Sequence, residues 1–297
     1  VPEAWLALIA LLLVITTAAP AVAQPAEVWR TLPAPAPLPA ADMDGRVSHA
    51  GARIWFASFG AGPPVILLHG GSGSSDLWGG QVPALVASGR RVIVIDSRGH
   101  GRSTRDGRPL GYELMESDVI AVMDGLGLGQ VDVVGWSDGA IIGLVMAMKD
   151  PARVAKVFAF GANMDVDGLN PLGALAPILP RVETLLSQDY ARISETPKGY
   201  GALARDVLAM QLSQPNYTRV ELGAIQGPRI EIADADHEEL ILKSHTHYLA
   251  RAIPGARLLI LTGVSHFAPL QDPDGFNKAV LDFLGPAGTP AGGGSGS

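Results

Sequence analysis

The chain contains no cysteine. That absence removes disulfide staples, thiol catalysis and thiolate metal sites together, and a chain of 297 residues does not need disulfides for stability. It also lacks any run of Lys or Arg able to neutralise a line of phosphates. The formal net charge of −7 is spread along the sequence, so nucleic acid is not an expected partner. Charged side chains are sparse at 17% while apolar ones reach 47%, enough to bury a full core. The expectation is one compact domain carrying an insertion, and nothing in the sequence calls for an obligate protein partner.

No charged residue occurs from Ala4 to Ala23. This stretch holds a continuous apolar segment, Trp5 to Ile15, followed by Pro20 and the small-x-small pattern Ala21-Val22-Ala23 before Gln24. This reads as a secretory signal peptide over residues 1–23. The apolar run is short for a membrane span, and only by counting the Thr and Ala residues after it does an uncleaved anchor become the alternative. A secreted or periplasmic location is therefore expected. Residues 24–45 carry the spaced prolines of Leu32-Pro33-Ala34-Pro35-Ala36-Pro37-Leu38-Pro39, which favour an extended linker acting as a tether. Residues 285–297 end in Gly-Gly-Gly-Ser-Gly-Ser, a flexible tail by composition.

Between these ends, short apolar runs alternate with helical ones. Val65–Leu68, Val92–Ile95, Val131–Val134, Val154–Phe160, Ile230–Ile232 and Leu258–Leu261 read as buried strands. Helical patterns cover Ala140–Lys149 and Phe276–Leu284. The β-α-β-α rhythm implies an α/β fold with a mostly parallel sheet covered on both faces. It breaks over residues 163–224, where Pro171, Pro177, Pro180, Pro197 and Pro215 lie among short amphipathic pieces. That stretch reads as a lid inserted into a core of residues 46–162 and 225–284.

The chemistry concentrates at three places. Gly135-Trp136-Ser137-Asp138-Gly139 joins a strand to an apolar helix, the context of a nucleophile elbow. A tight turn there would hold Ser137 in a strained conformation, with glycines admitting neighbouring backbone. His69-Gly70-Gly71-Ser72-Gly73 follows the first buried strand, making the Gly71 and Asp138 amides candidates for an oxyanion hole. His266 follows the last strand in Gly263-Val264-Ser265-His266, where its imidazole can take and return a hydroxyl proton. The other histidines have plainer readings. His49 precedes the core, His100 sits in a Gly-rich turn, and His245 and His247 fall on a surface helix with no third metal ligand. Gly125-Leu126-Gly127-Leu128-Gly129 precedes a strand, so it is a connection and not a dinucleotide fingerprint. No cofactor or metal is expected.

His69-Gly70-Gly71, Asp96-Ser97-Arg98-Gly99-His100-Gly101-Arg102-Ser103, the pentapeptide around Ser137 and Gly263-Val264-Ser265-His266 occur in the order seen in α/β-hydrolase-fold enzymes, which the chain resembles over roughly residues 46–284. The resemblance implies the chain order nucleophile, acid, histidine, with the acid after the strand near Ile232, and it implies that Asp96–Ser103 is a structural turn. In the family the acid commonly closes a Gly-acidic-x-Asp turn. Here the segment reads Ile232-Ala233-Asp234-Ala235-Asp236-His237-Glu238-Glu239. Matching Ala235 to the glycine selects Glu238, matching Ala233 selects Asp236, and the usual spacing from Pro228 falls between them on His237. Glu238 is preferred, Asp236 is the alternative, and Asp234 looks like the strand's last residue.

Serine at the elbow argues against relatives that place a carboxylate there. The expected activity is hydrolysis of a small hydrophobic carboxylic ester through an acyl-serine intermediate. Hydrolysis of a C–C bond in a diketone-like substrate is the second reading, and a ligand-binding protein on the same fold is the third. For location, amino-terminal sequencing of protein recovered from the source cell's envelope or medium is expected to read Gln24 first. An intact start on cytoplasmic protein would overturn the signal-peptide reading.

Overall fold

The computed structural model describes residues 27–287, so the signal peptide expected at residues 1–23 and most of the tail lie outside the described residues. Among the described residues no helix is long and apolar enough to cross a membrane.

The sheet opens with a hairpin, β1 (Met43–His49) and β2 (Ala52–Phe59), turned at Ala50 and Gly51, both with positive φ as a tight two-residue turn requires. The sequence reading missed this pair. Strand β1 buries little, and Asp44, Gly45 and Arg46 interrupt any apolar alternation. The six expected strands all form: β3 (Pro64–Leu68), β4 (Arg91–Ile95), β5 (Val131–Trp136), β6 (Val154–Phe160), β7 (Arg229–Ala235) and β8 (Arg257–Leu261), though β8, at the sheet's edge, is not buried as expected. Their order in the sheet is β1-β2-β4-β3-β5-β6-β7-β8, antiparallel through β2–β4 and parallel thereafter. The chain leaves β3 toward β4 on one side and returns to β5 on the other. Such a reversal opens a crevice at the strands' carboxyl ends. The Gly71 loop and the Ser137 elbow follow β3 and β5, so both face that crevice.

Both faces of the central strands are buried, which is why those runs are apolar without alternation. Ile66, Leu68, Ile93 and Val133 face a core shared with α2 (Tyr112–Gly125), α3 (Asp138–Lys149) and α7 (Lys243–Ala252). Val65, Leu67, Val94 and Phe158 face a second core with α1 (Val82–Ala87) and α9 (Pro273–Leu284). A short α8 (Ala268–Gln271) leads into α9.

Between β6 and β7 lie α4 (Leu179–Ile193), α5 (Tyr200–Gln211) and α6 (Arg219–Gly223). Two of these are longer than the short pieces expected, because the prolines mark their boundaries. Pro180 occupies the first turn of α4, where its missing N–H costs nothing, and Pro197 precedes α5.

The tether expected at residues 24–45 is not free. Its last residues belong to β1, and from Val28 onward the segment lies against the body. Gln271 Nε2 donates to the carbonyls of Trp29 (3.0 Å) and Thr31 (2.9 Å), and Arg181 Nη2 donates to Arg30 O (2.6 Å). Prolines keep such a chain extended but leave its carbonyls available, and side chains of the domain take them up.

The Asp96–Ser103 segment is a bonded turn, as the resemblance implied. The Asp96 carboxylate accepts from Ser75 N–H and Arg102 N–H, both at 2.8 Å. Arg98 is fully buried and forked onto Asp118 of α2, with Nε at 2.9 Å and Nη2 at 2.5 Å. Removing one partner of a buried pair strands the other charge. Asp118→Ala is therefore expected to lower the free energy of unfolding by about 3–5 kcal/mol, read from denaturant midpoints. A loss below about 1 kcal/mol, the worth of an exposed pair, would show that Arg98 is not held by this contact.

Candidate active site

At the end of β5 the chain turns so tightly that Ser137 adopts φ 56° and ψ −121°. A residue with a side chain at positive φ carries strain that only surrounding structure can sustain. Here Ser137 N–H donates to Phe160 O (2.8 Å), and Ser137 O accepts from Ala140 (2.8 Å) and Ile141 (3.1 Å). The flanking glycines are steric necessities. A Cβ on Gly135 would lie 2.4 Å from Gly139 O, and one on Gly139 would lie 2.1 Å from Leu68 O.

The loop after β3 is held against this elbow. A Cβ on Gly70 would meet Ser137 Cβ at 3.2 Å, and one on Gly71 would meet both Asp138 Oδ2 and Gln211 Nε2 at 2.6 Å. His69 anchors the loop from beneath. Its Nδ1–H donates to Gly70 O (2.8 Å) and its Nε2 accepts from Ser97 N–H (3.0 Å), which defines a neutral imidazole. Burial lowers its pKa and outweighs the nearby carboxylates, consistent with that tautomer. Among the described residues, neither the Gly71 nor the Asp138 amide is taken by another protein group. Asp138 opens α3, so its N–H has no partner within the helix.

His266 is fixed from several sides. Its Nδ1 lies 2.9 and 2.8 Å from the two oxygens of Glu238, its backbone N–H donates to Glu239 Oε2 (2.9 Å), and its carbonyl accepts from Trp136 Nε1 (2.8 Å). Glu238 is thus the carboxylate on the imidazole. Its Oε1 also accepts from the amides of Leu240 (2.7 Å) and Ile241 (3.0 Å). Asp236, the alternative acid, does not reach the ring. It accepts instead from Gly263 N–H at 2.9 and 3.0 Å and so pins the start of the histidine loop. Asp234 lies inside β7, buried, accepting from Ala235 N–H (2.8 Å) and Thr246 Oγ1. Burial, reinforced by the charge of Glu238, pushes the Asp234 pKa up to about 8, while His266 holds Glu238 below the usual carboxylate range, so Asp234 is the one of the two that takes a proton first. For His266, burial favours the neutral ring, but the Glu238 carboxylate more than offsets it and raises the pKa to about 9.

Ser137 and His266 open into the same cavity of about 720 Å³, covered by α4 and α5. No hydrogen bond joins Ser137 Oγ to the imidazole among the described residues; such contacts tighten when substrate binds. Gln211, Glu239 and the indole of Trp136 were not legible as site residues, and Asp138 was assigned only through its amide. In the structure the Asp138 carboxyl is buried, accepting from Tyr112 OH (2.9 Å) and from Gln211 Nε2 of α5 (3.0 Å). Burial raises its pKa against those hydrogen bonds. His245 is buried and not on the surface as expected, its Nε2 accepting from Met164 N–H (3.1 Å). Among the described residues no group of three His, Asp or Glu side chains is placed to hold a metal ion.

A parallel sheet reversing at β3, with a strained elbow serine after the next strand and a carboxylate-bound histidine after the last, defines a hydrolase. The chain belongs to the α/β-hydrolase fold family. The family's sequence model matches residues 63–197. The putative carbamate hydrolase RutD of Caulobacter sp. strain K31 is 31% identical over 242 residues, covering 74% of this chain and 90% of the relative. Serine hydrolase BPHL of Mus musculus is 28% identical, covering 80% of this chain and 85% of the relative. The crystal structure of a hydrolase from Pseudomonas aeruginosa PA01 superposes with a TM-score of 0.68 at 24% identity, over 83% of this chain and all of that one, a likeness of fold.

The His266–Glu238 pair yields a titration test independent of turnover. The imidazole is expected to titrate above its ordinary 6.5, toward about 9, when followed by NMR. In Glu238→Gln the nearest opposing charge is gone and burial remains, so the midpoint should fall well below its wild-type value, while Asp236→Asn leaves it in place. A large drop in the Asp236 variant alone would reassign the carboxylate.

Proposed function

We propose that the protein hydrolyses small, neutral, hydrophobic carboxylic esters through an acyl-serine intermediate. The observation that carries this reading is that a strained elbow serine and an imidazole bound to a buried carboxylate open into one largely apolar cavity. In this reading Ser137 Oγ attacks the ester carbonyl as His266 Nε2 takes its proton. Glu238 holds Nδ1–H and stabilises the imidazolium. The Gly71 and Asp138 amides receive the oxyanion. His266 returns the proton to the departing alcohol, and a water then repeats the attack on the acyl-serine, regenerating the hydroxyl and releasing the acid.

The cavity lining supports a neutral substrate. It contains Leu179, Val182, Leu186, Val207 and Phe267 but no Lys or Arg. Its carboxylates already have donors, Asp138 from Tyr112 and Gln211, and Glu183 from Tyr200 OH (3.0 Å). An anionic substrate would find no Lys or Arg there, and the charge of the His266 imidazolium is already met by Glu238. The names of the relatives, a serine hydrolase and a putative carbamate hydrolase, accord with a serine nucleophile and a carbonyl centre. Export, carried by the apolar segment before Gln24, would place this chemistry outside the cytoplasm.

Attack needs a neutral imidazole, so activity is present above the His266 pKa and lost as pH falls through it. With that pKa raised, the acid limb of kcat/KM is expected above pH 6.5. Ser137→Ala is expected to remain folded and to lose at least about 10³-fold in the rate on p-nitrophenyl esters. A fluorophosphonate should label Ser137 and no other residue in the wild type. Retention of most activity in the alanine variant would overturn the mechanism.

A further inference from the structure

The first described residues take no part in the chemistry above, yet they touch the catalytic loops. Trp29 lies flat on His237, with ring centroids 4.3 Å apart and planes within 8°, between the two residues that hold the histidine loop, Asp236 and Glu238. Gln271 fixes the carbonyls on either side of Arg30, and Arg181 of α4 fixes that of Arg30 itself. Further along, the strap passes so close to the body at Gly79 that a Cβ there would lie 1.8 Å from Ala36 O. The backbone is therefore held on both sides of Leu32. That side chain is half-buried, packs with the core that contains Phe267 and Leu270, and lines the cavity holding Ser137 and His266. Leu38, six residues on, packs against the same core but lines a separate groove and not the cavity.

We propose that this amino-terminal strap is a wall of the substrate cavity, and that Leu32 sets the length of the apolar group the cavity accepts. The proposal rests on the ester-hydrolase reading for its catalytic readout alone. Because the strap's backbone is bonded to α4 and α8, the loss of side-chain volume at Leu32 opens space instead of letting the strap collapse inward. Each further methylene buried in that space is worth about fourfold in binding.

The test uses the full chain with Leu32→Ala, Leu32→Trp and Leu38→Ala, each checked for folding by circular dichroism. Two series are measured: kcat/KM for p-nitrophenyl esters of two to ten acyl carbons, and calorimetric affinities for 1-alkanols of four to ten carbons. Leu32→Ala is expected to raise the eight-carbon to four-carbon ratio by about tenfold in both series. Leu32→Trp should lower that ratio, and Leu38→Ala should lower the melting temperature while leaving the ratio unchanged. Wild-type ratios in a folded Leu32→Ala, or an equal shift in Leu38→Ala, would overturn the proposal. Were no ester cleaved even by the wild type, the ester reading would fall, and the alkanol affinities alone would still decide whether Leu32 is a wall.

Discussion

No side chain fits at position 139. The amino-terminal turn of α3 crosses the end of β3 so closely that a Cβ there would lie 2.1 Å from Leu68 O, and the same crowding leaves only hydrogen at Gly135. This approach of one backbone to another is the constraint on which the site depends. It forces Ser137 into positive φ, sets the free amides of α3 beside the loop leaving β3, and brings Gly70 against the serine and Gly71 against Asp138. The strain at one residue is offset by the sheet and helix packed around it: α3 has a nearly continuous buried surface between β5, β6 and α2. The stability of the core is thus what holds the hydroxyl forward.

The histidine side is built differently, from charge instead of close contact. Three carboxylates of one turn after β7 grip the loop after β8, Asp236 at Gly263 N–H, Glu238 at the imidazole and Glu239 at the backbone of His266. Asp234, buried next to them, would add a further negative charge in a poorly solvated place. Its pKa is raised by burial and by Glu238, whereas that of Glu238 is lowered by His266, so the negative charge of the pair favours Glu238, next to the ring. The arrangement explains why one acidic segment holds several carboxyl groups of which a single one meets the imidazole. Burial acts strongly against the imidazolium, and the carboxylates led by Glu238 together outweigh it, so His266 is held above its ordinary pKa.

The parallel strands were legible because burial on both faces makes a run such as Val92–Ile95 apolar throughout, a pattern few other structures produce. Strand β1 was not, since an edge strand exposed on one face needs no such run, and in β2 the polar Arg53 and Ser58 cut the apolar run short although the strand is nearly all buried. The elbow could be read because its glycines are required by contact, and these residue types therefore recur wherever the turn is made. The acid could not be settled by counting, since two carboxylates in one turn differ only in which way they point. That direction is fixed by amides at Gly263, Leu240 and Ile241, distant in the one case and local in the other. The strap misled most: prolines forbid regular structure, but they do not forbid anchorage through carbonyls.

The cover over the site has two unlike halves. Helix α5 contributes Leu203, Val207 and Met210 to the same buried core as α2 and α3, and its Gln211 bonds the carboxyl of the residue after the elbow serine. Helix α4 buries fewer side chains and is fastened by ion pairs such as Arg192–Asp76, and by Arg181 to the strap. Pairs at a wetted surface contribute about 0–1 kcal/mol each, whereas every leucine-sized side chain buried in the core contributes about 1.5–3 kcal/mol. The α5 wall therefore moves only with the core, and any change there is felt at Asp138 and so at the turn that presents Ser137. The α4 wall, by contrast, is fastened by polar side chains, Arg181 to the strap and Asp189 to Ser74 just after the Gly71 loop.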